Sequence, residues 1–535
     1  MAPSLSILKH LSYVKSSSTL YVLSIIIGII TIFLMLKLTR TRRNKSNNLP
    51  PSPPKLPLIG NLHQVGTLPH HSFYELSKKH GPLMFLQLGQ IPTLVISSAD
   101  TVKEITKNHD LVFSSRPLPT AAKIFVHRGK DVAFSSYGEE WRQKRKLCVL
   151  ELLSLKRVKS FQSIREEEVV ELIDSIRESC ASSKVGSVIN LSEMMIATSN
   201  NIVSRCVLGQ KYDTPKDGRS NSFGDLGRKL MKHFADFCLG DFYPKLGWVD
   251  VLRGLVPEFK TTFSGLDACF DEVIEEHKRM KKNNGGDGDE ELLSIRKDFV
   301  EILLQLQDNG VLDFQLTGED IKAILADMFV GGSDTTSTTL EWTFAELLKN
   351  PNVMKKAQEE VRRVVGSKSK VEENDVNQMT YLQFVIKESL RLHPPLPLLI
   401  PRETLSGVKV KGYYIPPKTR VFFNVWGIQR DPEVWENPEE FIPERFENNQ
   451  VDFKGQDFQL LPFGTGRRGC PGISFGLTSA EYILANLLYW FDWKLCDENG
   501  EVLHDIDMSE LCGLTVTKKV PLHLKPIPYN SGIRN

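Results

Sequence analysis

The chain has 535 residues, of which 41% are hydrophobic and 25% charged, and its formal net charge is +2. This composition supplies enough apolar material for a large core, and the near balance of charge predicts no nucleic-acid partner. The eight cysteines are scattered without paired spacing, which argues against a disulfide framework or a zinc site and favours a reducing compartment.

The first feature along the chain is an uncharged, strongly apolar stretch from Ser16 to Leu36. About 20 such residues cross a bilayer as a helix, whereas the apolar part of a cleaved signal peptide is shorter. The excess of positive charge follows the stretch, between Lys37 and Lys45, so we expect the bulk of the chain to face the cytoplasm. We therefore predict that residues 1–37 contain a membrane anchor helix.

A hinge follows at residues 38–60, basic at first and then rich in proline over residues 49–57. Proline prevents helix formation here and makes the segment a stiff, extended spacer. Beyond it, a helical stretch at residues 73–79 and short β-like runs at 83–88 and 93–96 predict a small sheet.

A basic helix is predicted to begin near Trp141. Trp141 and Arg145 are four residues apart and share one face, where an indole N–H and a guanidinium suit a carboxylate. A cation–π pair at the surface is the alternative. Further on, residues 152–279 have the spacing of amphipathic helices, and residues 281–291 are predicted to form a polar surface loop.

One long helix is predicted over residues 317–349, with Thr317 as N-cap and a length of roughly 46 Å. Its middle, residues 331–336, reads Gly-Gly-Ser-Asp-Thr-Thr, and each glycine costs a helix interior about 1 kcal/mol relative to alanine. Such a segment indicates either close approach of a partner or a local opening of the helix. A kinked core helix is the structural alternative.

Charged residues with helical spacing come next. Glu388 and Arg391 share a face of a helix that is predicted to end near His393, and Arg445 follows in a Pro-Glu-Arg-Phe element. An exposed ion pair is the simplest interpretation of the first two residues alone. Strands are predicted at residues 398–403 and 413–423.

A glycine-rich loop at residues 462–472 surrounds Cys470 and precedes a helical pattern at residues 473–490. Backbone N–H groups, the neighbouring Arg467 and Arg468, and the helix N-terminus all favour a thiolate, so we expect the thiol pKa to lie below its free value of about 8.5. A thiolate with hydrogen-bond donors around it suits a haem iron. A Gly/Pro turn that happens to hold a cysteine is the alternative.

Together these motifs resemble those of cytochromes P450, most closely the plant microsomal group of specialised metabolism. The loop fills the haem-thiolate pattern F-x-x-G-x-R-x-C-x-G, and W-x-x-x-R, G-G-S-D-T-T, E-x-x-R and P-E-R-F stand in the family's order. The resemblance implies a mainly α fold with a small β region. It also implies that residues 61–535 form one catalytic domain.

The resemblance further implies roles for individual residues. Cys470 would bind the iron of haem b, and Asp334 and Thr335 would deliver protons to oxygen. The implied haem contacts are Trp141, Arg145, Arg402, Phe463, Arg468 and Cys470. A buried structural cluster would comprise Glu388, Arg391 and Arg445. The implied substrate pocket comprises Ala326, Phe329, Val330, Leu398, Leu399 and Leu514, together with Ile400, the 116–130 loop and the region around residues 511–515.

The resemblance implies a haem-dependent monooxygenase, which inserts one oxygen atom of O2 into a small apolar metabolite of terpenoid, alkaloid or phenylpropanoid type. O2 and NADPH would be co-substrates, with electrons arriving through a separate NADPH-cytochrome reductase that docks on a basic helix face of Arg142, Lys144 and Lys146. The expected location is the endoplasmic reticulum membrane, single-pass, with the catalytic domain cytosolic. A haem-thiolate isomerase or dehydratase, and a non-catalytic haem-binding membrane protein, are the alternatives.

Overall fold

The computed structural model describes most of the chain. The described residues are 21–33, 48–125, 129–181, 188–211, 223–283, 297–310 and 312–529. Residues 21–33 are helical with mostly exposed apolar side chains, while the rest of the predicted anchor and the basic part of the hinge lie outside the described residues. Within the described ranges, no helix combines the length and apolarity needed to cross a bilayer.

Helices dominate the rest of the described chain, as predicted. They span Pro69–His80, Ala99–Asn108, Thr120–Phe125, Glu139–Leu147, Leu155–Ser160, Gln162–Ala181, Leu191–Leu208, Phe223–His233, Trp248–Leu252, Leu255–Asn283, Phe299–Asn309, Gly318–Lys349, Pro351–Val365, Glu373–Val376, Thr380–Leu392, Val425–Ile428 and Ile473–Trp490. Shorter helical turns lie at Leu62–Gln64, Cys148–Leu152, Leu239–Asp241, Pro244–Leu246, Pro443–Phe446 and Gly466–Arg468.

The β region is small and divided into several sheets. Its strands are β1 (Leu83–Leu88), β2 (Ile91–Ile96), β3 (Ile189–Asn190), β4 (Arg402–Glu403), β5 (Val408–Val410), β6 (Tyr413–Ile415), β7 (Arg420–Phe423), β8 (Phe491–Leu495), β9 (Glu510–Cys512), β10 (Val516–Lys518) and β11 (His523–Pro528). The largest sheet has the order β1-β2-β7-β4, with β2 and β7 parallel. The hairpin β9–β10 is antiparallel, and Glu510 pairs with Lys518.

Gly318–Lys349, hereafter the central helix, runs through the main hydrophobic core. A capping box fixes its start: the Thr317 N–H donates to Asp320 Oδ2 at 2.9 Å, and the Asp320 N–H donates to Thr317 Oγ1 at 3.3 Å. The central helix packs against Leu191–Leu208 and Ile473–Trp490. It therefore meets the segment that directly follows the cysteine loop, which brings two of the predicted motifs together.

Two local predictions differ from the structure. The strand predicted from residue 398 begins only at Arg402, because prolines at 394, 395, 397 and 401 lack a backbone donor and Leu399 has a φ of +53°. The predicted surface loop at 281–291 begins with the last turn of Leu255–Asn283, and its remainder lies outside the described residues.

Candidate functional site

The cysteine loop presents the sulfur of Cys470 to a central cavity of about 300 Å³. The Cys470 N–H donates to the Phe463 carbonyl at 2.8 Å, and the Gly472 N–H donates to the sulfur at 3.3 Å. Gly466 has a φ of +65°, and a Cβ there would lie 2.4 Å from Asp110 Oδ1. Glycine is therefore required at this position for both conformation and space.

The predicted effect of the loop arginines on the thiol is wrong. Arg467 pairs instead with Asp110 at 2.8 Å, and Arg468 donates to backbone carbonyls. The exposed surface of Cys470 faces the cavity, and burial by the surrounding protein raises the pKa of its thiol. The Gly472 N–H and the charge of Arg145 offset this only in part. A coordinating metal ion deprotonates a thiol outright, so iron itself would supply the missing stabilisation.

The interrupted segment of the central helix forms another wall of the cavity. A Cβ at Gly331 would meet nothing within 4 Å, whereas a Cβ at Gly332 would lie 3.2 Å from Val203 Cγ2. The first glycine therefore leaves open space, and the second permits close packing against Leu191–Leu208. The helix continues without a break, and the Thr335 hydroxyl donates to the Gly331 carbonyl at 2.6 Å.

The two predicted proton-handling residues face different surroundings. Thr335 lines the cavity, whereas Asp334 is not part of its described wall. The Asp334 carboxylate accepts a hydrogen bond from the Thr515 hydroxyl, and burial raises the pKa of Asp334 above its ordinary value. Thr515 itself lines the cavity from the β9–β10 turn. Thr515 lies in the predicted pocket region, and the structure adds its contact with Asp334, which sequence spacing could not indicate across 181 positions.

Arginines form the most unusual part of the cavity wall. The arginines that line it are Arg116, Arg145, Arg402 and Arg468. Arg468 donates to the Ser114 and Ser135 carbonyls at 2.6 Å each, and Arg116 donates to the Ala133 carbonyl at 3.0 Å. We call these four residues the cavity arginines.

Carboxylates only partly balance this charge. Asp110 lies 3.3 Å from Arg402, but no ion pair of Arg116 or Arg468 is found within the described ranges. Burial and then the neighbouring positive charges lower the pKa of Arg116, and burial lowers that of Arg468 to about 9. Buried positive charge beside a cavity fits an anionic ligand, and the two propionates of a haem suit it.

Trp141 supports this cluster from behind. Its indole N–H donates to the Val132 carbonyl at 3.0 Å, and its ring lies 4.0 Å from the Arg468 guanidinium carbon. Arg145 lines the cavity, whereas Trp141 stacks on a different arginine and is not part of the described cavity wall. A carboxylate held by Trp141 and Arg145 together stays a prediction.

A pair of buried acids holds the loop around Val132. Asp327 of the central helix accepts from the Val132 N–H at 2.6 Å, and Asp131 accepts from the Phe134 N–H at 2.6 Å. Burial raises the pKa of Asp131 to about 6, and burial together with the negative charge of Asp131 raises that of Asp327. These acids fix the carbonyl groups to which the arginines donate.

The structure brings Glu388, Arg391 and Arg445 into one cluster. Glu388 lies 2.8 Å from both guanidinium groups, and Glu388 and Arg391 are completely buried. Arg391 also donates to the carbonyl of Gln429 at 2.9 Å, and Arg445 donates to that of Glu436 at 2.9 Å. The exposed ion pair that the motif alone suggested is therefore excluded.

The predicted substrate-pocket residues are divided by the structure. Four of them line the cavity, namely Ala326, Val330, Leu399 and Leu514. Phe329 and Leu398 are not part of its described wall. Phe329 is buried against Gly227, where a Cβ would lie 3.0 Å from its ring, and Leu398 packs in the small cluster around Phe73. Val330 therefore faces the cavity, whereas the neighbouring Phe329 packs into the core beside Gly227.

Sequence reasoning placed the 116–130 loop at the pocket but gave Arg116 no role of its own, and it missed Asp110. Arg116 stands in a Ser-Arg-Pro segment, which has no spacing that distinguishes a buried arginine from an exposed one. Asp110 contacts Arg402 and Arg467, which are about 290 and 357 residues away. Only the folded chain brings these groups together.

Comparisons with known proteins agree with this site. The family model described as cytochrome P450 matches residues 50–524. Phenylacetaldehyde oxime monooxygenase of Prunus mume is 52% identical over 520 residues, covering 96% of this chain and 97% of that protein. Strychnine-11-hydroxylase of Strychnos nux-vomica is 44% identical over 499 residues, covering 93% of this chain and 95% of that protein.

The fold is also found among solved structures. A zebra fish cytochrome P450 with progesterone aligns with a TM-score of 0.72 and 25% identity, covering 86% of this chain and 99% of that one. A zebra fish cytochrome P450 with abiraterone aligns with a TM-score of 0.67. The similarity therefore extends over the domain that carries the cavity.

Proposed function

This chain belongs to the cytochrome P450 family, among its plant members, and on that premise we propose that it inserts one oxygen atom of O2 into a small apolar specialised metabolite. It is an oxidoreductase of that family. The single observation that supports the proposal most strongly is one cavity that combines Cys470, the cavity arginines and the open Gly331 position.

Haem b fits the residues around this cavity and would supply the iron that activates O2. Cys470 would bind the iron, the cavity arginines would bind the propionates, and Phe463 would contact the ring from the cavity wall. Burial raises the pKa of Asp334, and the Thr515 hydroxyl, which donates to its carboxylate, connects Asp334 to the cavity wall. The Thr335 hydroxyl donates to Gly331 and must rotate to donate into the cavity.

The substrate class follows from the lining of the cavity. Apart from the cavity arginines, most lining side chains are apolar, among them Phe125, Phe134, Leu230, Val330 and Leu514. We therefore propose a terpenoid, alkaloid or phenylpropanoid skeleton. The relatives named above act, by their names, on an aldehyde oxime and on strychnine, which are compact and largely apolar.

The carbon monoxide spectrum of the reduced protein tests this function directly. We expect a thiolate-type spectrum, and we expect Cys470→Ala to lose it together with product formation. Cys148→Ala is the matched control, since Cys148 is buried without facing the cavity, and it should retain both. An imidazole-type spectrum in the wild type would refute the assignment. Product formation without O2 and NADPH would favour an isomerase instead.

The proposal includes the membrane and the reductase. We place the chain in the endoplasmic reticulum membrane through residues 1–37, with electrons arriving from an NADPH-dependent reductase. Lys144 must be removed from the predicted docking face, because it is buried and its Nζ lies 2.7 Å from Asp320 Oδ1. Arg142 and Lys146 are exposed and remain available.

Charge reversal at these two residues tests the docking face. The double variant Arg142→Glu/Lys146→Glu should need severalfold more reductase for half-maximal turnover, and the effect should shrink as salt screens the charges. The control is Lys278→Glu/Lys281→Glu, which reverses two exposed lysines on Leu255–Asn283. Equal reductase requirements in the two double variants would contradict the docking face.

A further inference from the structure

A second cluster of ligand-type side chains lies away from the central cavity. His70 and His71, in the first turn of Pro69–His80, meet Glu510 of β9. Nε2 of each histidine lies 2.9 Å from the same carboxylate oxygen, Glu510 Oε2. The three potential ligand atoms lie within 4.8 Å of one another.

We propose that His70, His71 and Glu510 bind one divalent transition metal ion of the zinc type. Two imidazoles and one carboxylate form a donor set that zinc uses with water as the fourth ligand. Neighbouring ligand atoms on a tetrahedral zinc lie about 3.3 Å apart. Each N···O contact would therefore open by about 0.4 Å, and the two Nε2 atoms, which lie within 4.8 Å of each other, would adopt the same spacing. Each Nε2 would give up the proton it now shares with Glu510, which the Nδ1 tautomer allows.

The charges around the cluster are compatible with a cation. The Glu510 carboxylate contacts Nε2 of both histidines at 2.9 Å, so a negatively charged group already lies between the two imidazoles. Arg430, a positive side chain in the surroundings of the cluster, stacks on Trp426 at 4.0 Å and is paired with Glu439 at 3.0 Å. Its charge is therefore largely balanced before a metal ion arrives.

Access to the cluster is asymmetric. The His71 ring is 42% exposed, whereas His70 is 1% and Glu510 12% exposed. An ion would enter beside His71, and the solvent side leaves a position for water. His70 and Glu510 are held in place by burial, so most of the site is preorganised.

The inner side of the cluster is closely packed. His70 and Glu510 line a narrow gap together with His393 and Trp426, and the gap has no room for a water molecule. An ion and its water would therefore lie on the solvent side, beside His71.

An ion here would tie a surface helix to the wall of the central cavity. Glu510 belongs to the β9–β10 hairpin, whose turn carries Leu514 and Thr515 into the central cavity. Thr515 in turn donates to Asp334. We therefore expect metal binding to alter substrate affinity. This effect rests on the proposed function, whereas the metal site itself is independent of it.

Calorimetric titration of the tag-free, chelator-treated holoenzyme with zinc chloride tests the site. We expect one zinc ion per chain. We also expect the thermal unfolding midpoint to rise by about 2 to 4 °C at a hundredfold excess over Kd. His71→Phe preserves the ring that stacks on Trp426 at 4.2 Å but removes the ligand nitrogen, and it should weaken binding at least tenfold.

His63→Phe is the matched control, because His63 is exposed and lies outside the cluster. It should bind zinc as the wild type does. Glu510→Gln provides a second variant that removes the charge while conserving size, and it should also weaken binding at least tenfold. Absence of zinc binding to the wild type, or equal affinity in His71→Phe and His63→Phe, would overturn the proposal. Zinc binding without a change in substrate affinity would support the metal site but refute its effect on the β9–β10 hairpin.

Discussion

Two clusters of buried arginines occupy this protein, and different groups balance their charge. In the Glu388 cluster, Arg391 and Arg445 converge on one buried carboxylate. In the central cavity, Arg116 and Arg468 donate to backbone carbonyls, and Asp110 is shared between Arg402 and Arg467. In the first cluster each guanidinium lies 2.8 Å from a carboxylate oxygen of Glu388, so every arginine has an acidic partner. In the second cluster, within the described residues, Arg116 and Arg468 have no carboxylate partner.

This difference separates a structural cluster from a ligand-binding one. Backbone carbonyls satisfy the hydrogen-bonding capacity of a guanidinium but do not cancel its charge, so repulsion among the cavity arginines persists. This repulsion acts on Arg116: burial lowers its pKa most, followed by the positive charges of Arg468 and Arg402. A pair of carboxylates would remove that repulsion, which is why the cavity suits a ligand with two acidic groups.

The largest effect on stability should follow from removing the carboxylate of the Glu388 cluster. Glu388→Gln leaves Arg391 buried without an opposite charge, and we expect a loss of about 3–5 kcal/mol in the free energy of unfolding. Denaturant unfolding of the purified protein measures this. Glu75→Gln removes an exposed partner of Lys78 and should change the free energy by less than about 0.5 kcal/mol. Similar values for the two variants would contradict the distinction.

Substitution of a cavity arginine should reduce stability less than Glu388→Gln does, but it should reduce the affinity for haem. Arg116→Met keeps an unbranched side chain while removing one positive charge from the cavity wall. We expect haem affinity to fall roughly tenfold, about 1.4 kcal/mol, since one fewer charge would hold the propionates. Stability of the haem-free protein should fall much less than in Glu388→Gln, because repulsion among the arginines is relieved.

Haem transfer to apomyoglobin measures haem affinity, and denaturant unfolding of the haem-free protein measures its stability. Arg157→Met is a matched control, because Arg157 lies on Leu155–Ser160 and not on the cavity wall. If Arg116→Met destabilises the protein as strongly as Glu388→Gln without changing haem affinity, Arg116 is structural and the contrast between the clusters fails.

Sequence reasoning predicted the elements that depend on local chemistry. Helix 317–349 was predictable because the Thr317 capping box and Pro351 mark its ends, and the cysteine loop because its glycines have a fixed spacing. The β1 strand at 83–88 followed from its apolar run. At residues 398–401 the apolar pattern wrongly predicted a strand. Prolines and the left-handed backbone conformation of Leu399 prevent a strand there.

Contacts between distant segments were not predictable. Trp141 and Arg145 have the right spacing to act together, but Val132 lies across from Trp141 and takes its N–H. Lys144 has the composition of a surface residue, yet Asp320 of the central helix holds it in the interior. In both cases a partner brought by the fold decides the role, and one sequence carries no record of that partner.

The smallest effect should appear in the acids that support the cavity arginines. Burial raises the pKa of Asp131 from 3.8 to about 6 in the folded protein. Because the folded pKa is the higher one, Asp131 contributes stability below pH 4 that is lost as the pH rises through about 6. Asp131→Asn removes this titration and retains an oxygen that can accept from the Phe134 N–H.

The free energy of unfolding of Asp131→Asn should therefore rise relative to that of the wild type between pH 4 and 6, and the difference should level off above that range. Denaturant unfolding at several pH values checks this. Asp174→Asn, at a half-exposed site on Gln162–Ala181, should show no such trend. A difference that does not change with pH would mean that Arg116 and Arg468 already hold Asp131 ionised in the folded state. The cavity cluster would then balance more of its own charge than its contacts indicate, and its need for an acidic ligand would be correspondingly smaller.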